Sequence, residues 1–171
     1  MTTTQKTDTV QGERTLQVYR VYIKTTPEKV WEAITNPDWT EKFGYGGRAE
    51  YDLRPGGAYR GLTSAEMRAH GAPEVAVDGE VIEADPPRKL VQTWRMLMDP
   101  DMAAEGFTRL TYEIEPTQYG TRLTVTHDLE SAPRLAALVA GAHEDQGAGG
   151  GWAWVLSDLK SLLETGKALA G

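Results

Sequence analysis

Apolar and polar positions alternate along much of the chain, and the alternation predicts an antiparallel β protein. Leu16–Lys24 (LQVYRVYIK) has period two and is rich in Val, Tyr and Ile, which predicts a first strand. Pro27–Thr35 changes period. Thr26 is placed to cap, Pro27 to open a helix, and Val30, Trp31 and Ile34 to share its apolar face. Asn36-Pro37 ends that helix and caps a second short one, on which Trp39 and Phe43, four apart, form the apolar stripe. Alternation then resumes in Arg48–Arg54, with Ala49, Tyr51 and Leu53 inward, and in Ala58–Thr63, with Pro55-Gly56-Gly57 turning between them. Four further strands are predicted at Val75–Ala84, Lys89–Leu97, Thr108–Glu115 and Thr121–Asp128. On the last two, Leu110, Tyr112 and Ile114 and then Leu123, Val125 and His127 point inward.

The remaining segments read as connections. Ser64–Glu74 is a loop with room for a helical turn, a possible lid over whatever lies beneath it. Met98–Gly106 is an acidic loop. Ser131–Gly151 is a connector with a short helix at Pro133–Ala140 and a mobile glycine run at Gly147–Gly151. Trp152–Leu163 is the strongest helix, because Trp152, Val155, Leu156, Leu159, Leu162 and Leu163 recur at steps of three and four. Trp154 lies off that stripe, which calls for either a covering connector or a self-association surface. Short turns between consecutive strands predict a meander of about seven strands, and the last helix is the natural cover for its apolar face. A curved sheet round a helix leaves a cleft suited to small molecules.

A length of 171 residues fits one domain, expected over residues 15–167, after a flexible lead-in at residues 1–14 that has no apolar signal region. That start favours the cytoplasm. Composition removes several classes. The chain has no cysteine, so disulfide scaffolds, Cys-ligated zinc modules and thiol chemistry are excluded. The net charge of −7 disfavours nucleic acid, whose phosphates need clustered Lys and Arg. No apolar run is long enough for a membrane span. The aromatic balance is skewed, with five Trp and seven Tyr against two Phe. Trp and Tyr combine an apolar body with a polar tip, which suits pockets as well as cores.

Several segments together resemble the SRPBCC superfamily, and within it the AHSA1 group, proteins similar to the C-terminal domain of the Hsp90 ATPase activator. They are Val21–Thr35, Pro55-Gly56-Gly57 with Tyr59, Gly79–Arg95, Leu110–Glu115 with Gly120–His127, and Gly151-Trp152 before the last helix. The resemblance spans Leu16 to Glu164 and implies an α+β helix-grip fold, also called START-like or Bet v 1-like. In it a curved antiparallel sheet of about seven strands wraps a long C-terminal helix, with two short helices after the first strand. It also implies a deep apolar cavity. The family holds lipid and polyketide binders, cyclases and chaperone activators without a shared catalytic set, so the fold alone does not decide between them. No segment of residues 1–171 is expected to correspond to the activator's extra N-terminal domain, which weighs against the chaperone role.

Candidate site residues follow. Trp39, Phe43, Tyr45, Tyr59, Trp94, Tyr112 and Trp152 come from separate elements that the fold brings to one interior, where they either line a ligand pocket or fill a core. Trp31 is assigned to the core. His127 is the catalytic candidate and is also counted among the ligand-binding residues: it is either a general base with Tyr59 or Tyr112 as acid, a hydrogen-bond partner of the ligand, or a histidine bonded within the structure. His70 and His143 are solvated loop residues, and no histidine spacing supports a metal site. Asp99, Asp101 and Glu105 lack the pattern of a calcium loop and read as solvated. Arg95 and Arg109 belong to a solvated outer face, where carboxylates such as Glu113 are in reach. Gly44–Gly47 and Gly147–Gly151 lack the Lys-Ser/Thr ending of a phosphate loop. The leading expectation is a binding protein for a hydrophobic or aromatic molecule, without cofactor or metal. A cavity enzyme using His127 (a cyclase, dehydratase or hydrolase) and a chaperone-contacting module are the alternatives, and monomer and homodimer both stay open.

Overall fold

A computed structural model describes residues 16–169; the expected lead-in at residues 1–14 lies outside them. The strands are β1 (Leu16–Ile23), β2 (Ala49–Tyr51), β3 (Ala58–Leu62), β4 (Val75–Asp85), β5 (Lys89–Met96), β6 (Thr108–Thr117) and β7 (Gly120–Asp128). They form one antiparallel sheet in the order β1-β7-β6-β5-β4-β3-β2. The helices are α1 (Pro27–Thr35), α2 (Pro37–Thr40), α3 (Ala65–Ala69), α4 (Pro100–Ala103), α5 (Pro133–Val139) and α6 (Gly151–Thr165). A 3₁₀ turn at Glu144–Gln146 sits between the last two. β1 and β2 are neighbours in sequence yet occupy opposite edges, so α1 and α2 bridge the sheet between them. Among the described residues no helix is long and apolar enough to cross a membrane.

The helix starts follow their caps. Thr26 Oγ1 accepts the Lys29 N–H ahead of α1, and Asn36 Oδ1 accepts the Asp38 N–H ahead of α2. α1 buries Val30, Ala33 and Ile34, and Trp31 packs half-buried beside them. These residues join Ile23, Leu110, Ile114, Leu123 and Val125 of β1, β6 and β7, and Leu156 and Leu159 of α6. Each such Leu, Ile or Val contributes about 1.5–3 kcal/mol by leaving water. This dense half holds β1, β7, β6, α1 and α6 together. The β2–β5 half meets α6 less closely, and the site lies there.

α6 carries the anticipated stripe, with Trp152, Leu156, Leu159 and Leu162 buried and Val155 and Leu163 half-buried. It also buries Asp158, whose Oδ2 accepts the Gly44 N–H at 2.7 Å and whose Oδ1 accepts the Leu169 N–H at 2.5 Å. A buried carboxylate is tolerated when backbone donors satisfy it, and this one ties the loop after α2 and the C-terminal segment to the same helix. Trp154 is half-buried, its base against Gly150 of the connector.

Four expectations need correction. The second strand was expected over residues 48–54, but β2 stops at Tyr51, and Leu53 is exposed rather than inward. A tight turn begins at Asp52, where the Arg54 N–H donates to the Asp52 carbonyl and the Gly57 N–H to the Arg54 carbonyl at 2.8 Å each. Only glycine fits at its end, because a Cβ on residue 57 would lie 2.0 Å from the Asp52 carbonyl oxygen. The acidic loop 98–106 contains α4, capped by Asp99, whose Oδ1 accepts the Asp101 and Met102 N–H groups. Glu105 is not merely solvated. Its carboxylate accepts the Arg134 and Leu135 N–H groups at 2.9 and 3.1 Å, supplying α5 with the cap that its own Ala132 lacks. Arg95 pairs with Asp78 at 3.0 and 2.7 Å, not with Glu113, because the β4–β5 register sets those two opposite; its guanidinium also lies 4.3 Å from the Phe107 ring centre. In addition, the segment 64–74 holds α3, started by the Ser64 cap.

Candidate functional site

Between α6 and the inner face of β2–β6 lies a cleft of about 1100 Å³. β2 and β3 bring Tyr51 and Tyr59, whose ring centres are 4.6 Å apart. β5 brings Trp94 and β6 brings Tyr112. α6 closes the opposite wall with Trp152, Val155, Leu156 and Leu159. Tyr112 and Trp152 meet edge to face at 6.2 Å, a favourable arrangement for two large rings. At the rim, Phe43–Gly47 faces the connector. Tyr45 is about half exposed there, and its hydroxyl accepts the Gly151 N–H at 3.2 Å.

Of the residues singled out in the sequence, Phe43, Tyr45, Tyr59, Trp94, Tyr112 and Trp152 line this cleft. Trp39 does not. α2 is a single turn ending at Thr40, so Trp39 and Phe43 do not share a helical stripe. Trp39 packs against the core, with the Lys42 ammonium 4.6 Å from its ring centre.

His127 is also not part of the lining. It is fully buried beneath the wall, between Trp94 and Trp152, with ring centres 5.3 and 6.0 Å away. Its Nδ1 accepts the Trp152 indole N–H at 3.1 Å. An indole nitrogen only donates, so Nδ1 carries no proton and the neutral ring holds its hydrogen on Nε2. Nε2–H then donates to Thr108 Oγ1 at 2.8 Å, and the Thr108 hydroxyl donates to the Trp94 carbonyl at 2.8 Å. Burial pushes the His127 pKa down to about 4. Both nitrogens are engaged and the ring stays neutral, so the arrangement fixes two cleft-lining tryptophans in place and leaves no lone pair free for a substrate.

Sequence reasoning missed several lining residues. Tyr51 was read only as an inward strand position. Met67, Met96, Met98 and Met102 all border the cleft, and the chain has only one other methionine. Methionine is flexible and polarisable and adapts to irregular ligands, so its clustering was the available signal. His143 reaches the rim instead of lying free in solvent. The charged members are Arg48, Asp99 and Arg134. The two arginines are partly exposed and already paired, Arg48 with Asp38 and Glu41 at 2.9 Å each and Arg134 with Asp101 at 3.6 Å. Asp99 is occupied in capping α4. The aromatic interior therefore carries no formal charge. Burial raises the Tyr59 hydroxyl to about 12 and the Tyr112 hydroxyl further, so both phenols are neutral donors at ordinary pH. Among the described residues no group of three or more His, Asp or Glu is placed to hold a metal ion.

An antiparallel seven-stranded sheet gripping a C-terminal helix, with an aromatic cleft between the two, defines a protein of the helix-grip class. Within that class the chain belongs to the AHSA1 family, described as Activator of Hsp90 ATPase homolog 1-like protein, whose model matches residues 24–164. No curated protein matches the chain in sequence. Among solved structures, the protein MLL2253 from Mesorhizobium loti is similar, with 25% identity and a TM-score of 0.61, over 86% of this chain and 96% of that one. The Aha1 dimer from Colwellia psychrerythraea shares the fold at 21% identity and a TM-score of 0.61, over 90% and 98% of the two chains. PFC0360w, an HSP90 activator from Plasmodium falciparum, shares it at 22% identity and a TM-score of 0.52, over 67% and 73%.

Proposed function

We propose that the protein binds an uncharged, largely apolar small molecule, of aromatic, lipid or polyketide-like character, in the cleft between sheet and α6. The observation that carries this reading is the cleft itself. About 1100 Å³ is bordered by aromatic rings and four methionines, and its charged residues are half-exposed or engaged with other groups. Sites that bind small molecules tend to be mostly apolar, with a few placed polar groups. The catalytic alternative lacks support in the geometry, because the one histidine considered as a base has both nitrogens in use. Titration with the neutral dye N-phenyl-1-naphthylamine tests the proposal. Saturable binding with one site per chain is expected, and lack of saturable binding by this dye would overturn it.

A second reading, contact with an Hsp90-type chaperone, is favoured by the family description and by the activator from Plasmodium falciparum. The exposed apolar residues Leu16, Val18 and Tyr22 on the outer side of β1 offer a surface for it. Capture of a purified Hsp90 homologue by the wild type, lost in Val18→Lys, supports this reading. Equal failure of both proteins to capture it opposes the reading.

A further inference from the structure

Three phenol groups converge on the cleft wall, Tyr51 from β2, Tyr59 from β3 and Tyr112 from β6. The Tyr51 and Tyr59 ring centres are 4.6 Å apart, and Tyr59 adds to the cost of charging both Tyr51 and Tyr112. Their hydrogen bonding differs. Tyr51 donates to Gln92 Oε1 at 2.6 Å, and Gln92 is fully buried, so this hydrogen is committed. Tyr59 lines the same wall, and among the described residues nothing accepts its hydroxyl hydrogen. Tyr112 is fixed by its edge contact with Trp152, and among the described residues nothing bonds its hydroxyl. Gly61 lies beside this point. A Cβ there would come within 3.1 Å of the Tyr59 hydroxyl, so the glycine keeps the space in front of it open.

Two unspent O–H donors thus face a cleft whose arginines and aspartate are already engaged, Arg48 and Arg134 in ion pairs and Asp99 in capping α4. A donor in an apolar setting is costly to leave unpaired. We infer that Tyr59 and Tyr112 recognise an uncharged oxygen acceptor, a ketone or quinone carbonyl, on an otherwise apolar ligand. This rests on the binding reading above and adds the chemical group that the cleft selects. A carboxylate would meet the same two donors without an unpaired countercharge, since the cleft's arginines already hold carboxylates, in a place where burial already opposes negative charge on both phenols.

The test compares three probes of one skeleton, 2-acetylnaphthalene, 2-ethylnaphthalene and 2-naphthoate, by calorimetric titration of the wild type, Tyr112→Phe and Tyr59→Phe. Both variants keep the ring and its packing. The expected result is a loss of about 3–10-fold in affinity for the ketone in each variant, the range of one net hydrogen bond, with 2-ethylnaphthalene within about twofold of wild type on the same basis. The naphthoate should bind more weakly than the ketone to the wild type. The bound ketone's carbonyl stretch should move to higher frequency in the variants as the hydrogen bond is lost. An unchanged ketone affinity and an unchanged stretch in both variants, with 2-ethylnaphthalene still bound, would overturn the inference and leave the binding reading standing. Failure of all three probes to bind the wild type would remove the binding reading and this inference together.

Discussion

His127 makes acid a specific destabiliser of this fold. In the folded chain it is buried and neutral, and its pKa is lowered from 6.5 to about 4. In the unfolded chain it titrates near its ordinary value, so the unfolded state binds the proton first as the pH falls. The contribution to stability is therefore complete above about pH 6.5 and is lost as the pH drops towards 4. Between pH 7 and pH 5 the linkage relation puts the loss at about 2 kcal/mol, and at about 3 kcal/mol by pH 4. Carboxylates also titrate in this range, so the comparison needs a variant without the imidazole. Urea unfolding of the wild type and of His127→Asn, followed by tryptophan fluorescence at pH 7, 6 and 5, separates the two effects. The wild type should lose about 2 kcal/mol more than the variant over that interval. Parallel pH profiles for the two proteins would refute the assignment of a buried, neutral histidine.

Other substitutions probe the supports of the cleft. Trp152→Phe keeps most of the ring but leaves His127 Nδ1 without its donor; a loss of about 1–3 kcal/mol in urea unfolding is expected, and a loss below 0.3 kcal/mol would mean the bond contributes little. Asp158→Ala deprives the Gly44 and Leu169 N–H groups of their acceptor, and about 2–4 kcal/mol should be lost, with faster amide exchange at Gly44. Glu105→Ala removes the remote cap of α5 and should cost about 1 kcal/mol, measurable in the same unfolding assay; Glu105→Gln, which keeps an acceptor, should recover part of it.

Much of the fold was legible because the strands alternate cleanly, and the inner residues of β6 and β7 and the stripe of α6 lie where their periods place them. What the pattern did not carry was the length of short elements and the identity of distant partners. α2 closes after one turn, so a spacing of four between Trp39 and Phe43 was mistaken for a shared face. β2 stops early because a tight turn bonded through the Asp52 and Arg54 carbonyls begins at Asp52, which alternation does not show. The inward face of His127 was legible, but its saturation by Thr108 and Trp152, which lie 19 and 25 residues away in sequence, was not. Asp158 is charged and flanks the apolar stripe of α6, so nothing local marked it as buried. One of its two backbone donors, Gly44, lies 114 residues away in sequence, and the other, Leu169, lies 11 residues beyond it. Three of the four cleft methionines, Met96, Met98 and Met102, lie close together in sequence, and that clustering was the signal to read; Met67 joins them only through the fold.

Those methionines also give the most direct test of the cleft as a binding site. Methyl-labelled methionine NMR, with a neutral apolar probe such as N-phenyl-1-naphthylamine added to saturation, reads Met67, Met96, Met98 and Met102 separately. If the cleft binds the probe, all four signals move along one common saturation curve. Four signals that stay unmoved as the probe is added to its solubility limit would contradict it.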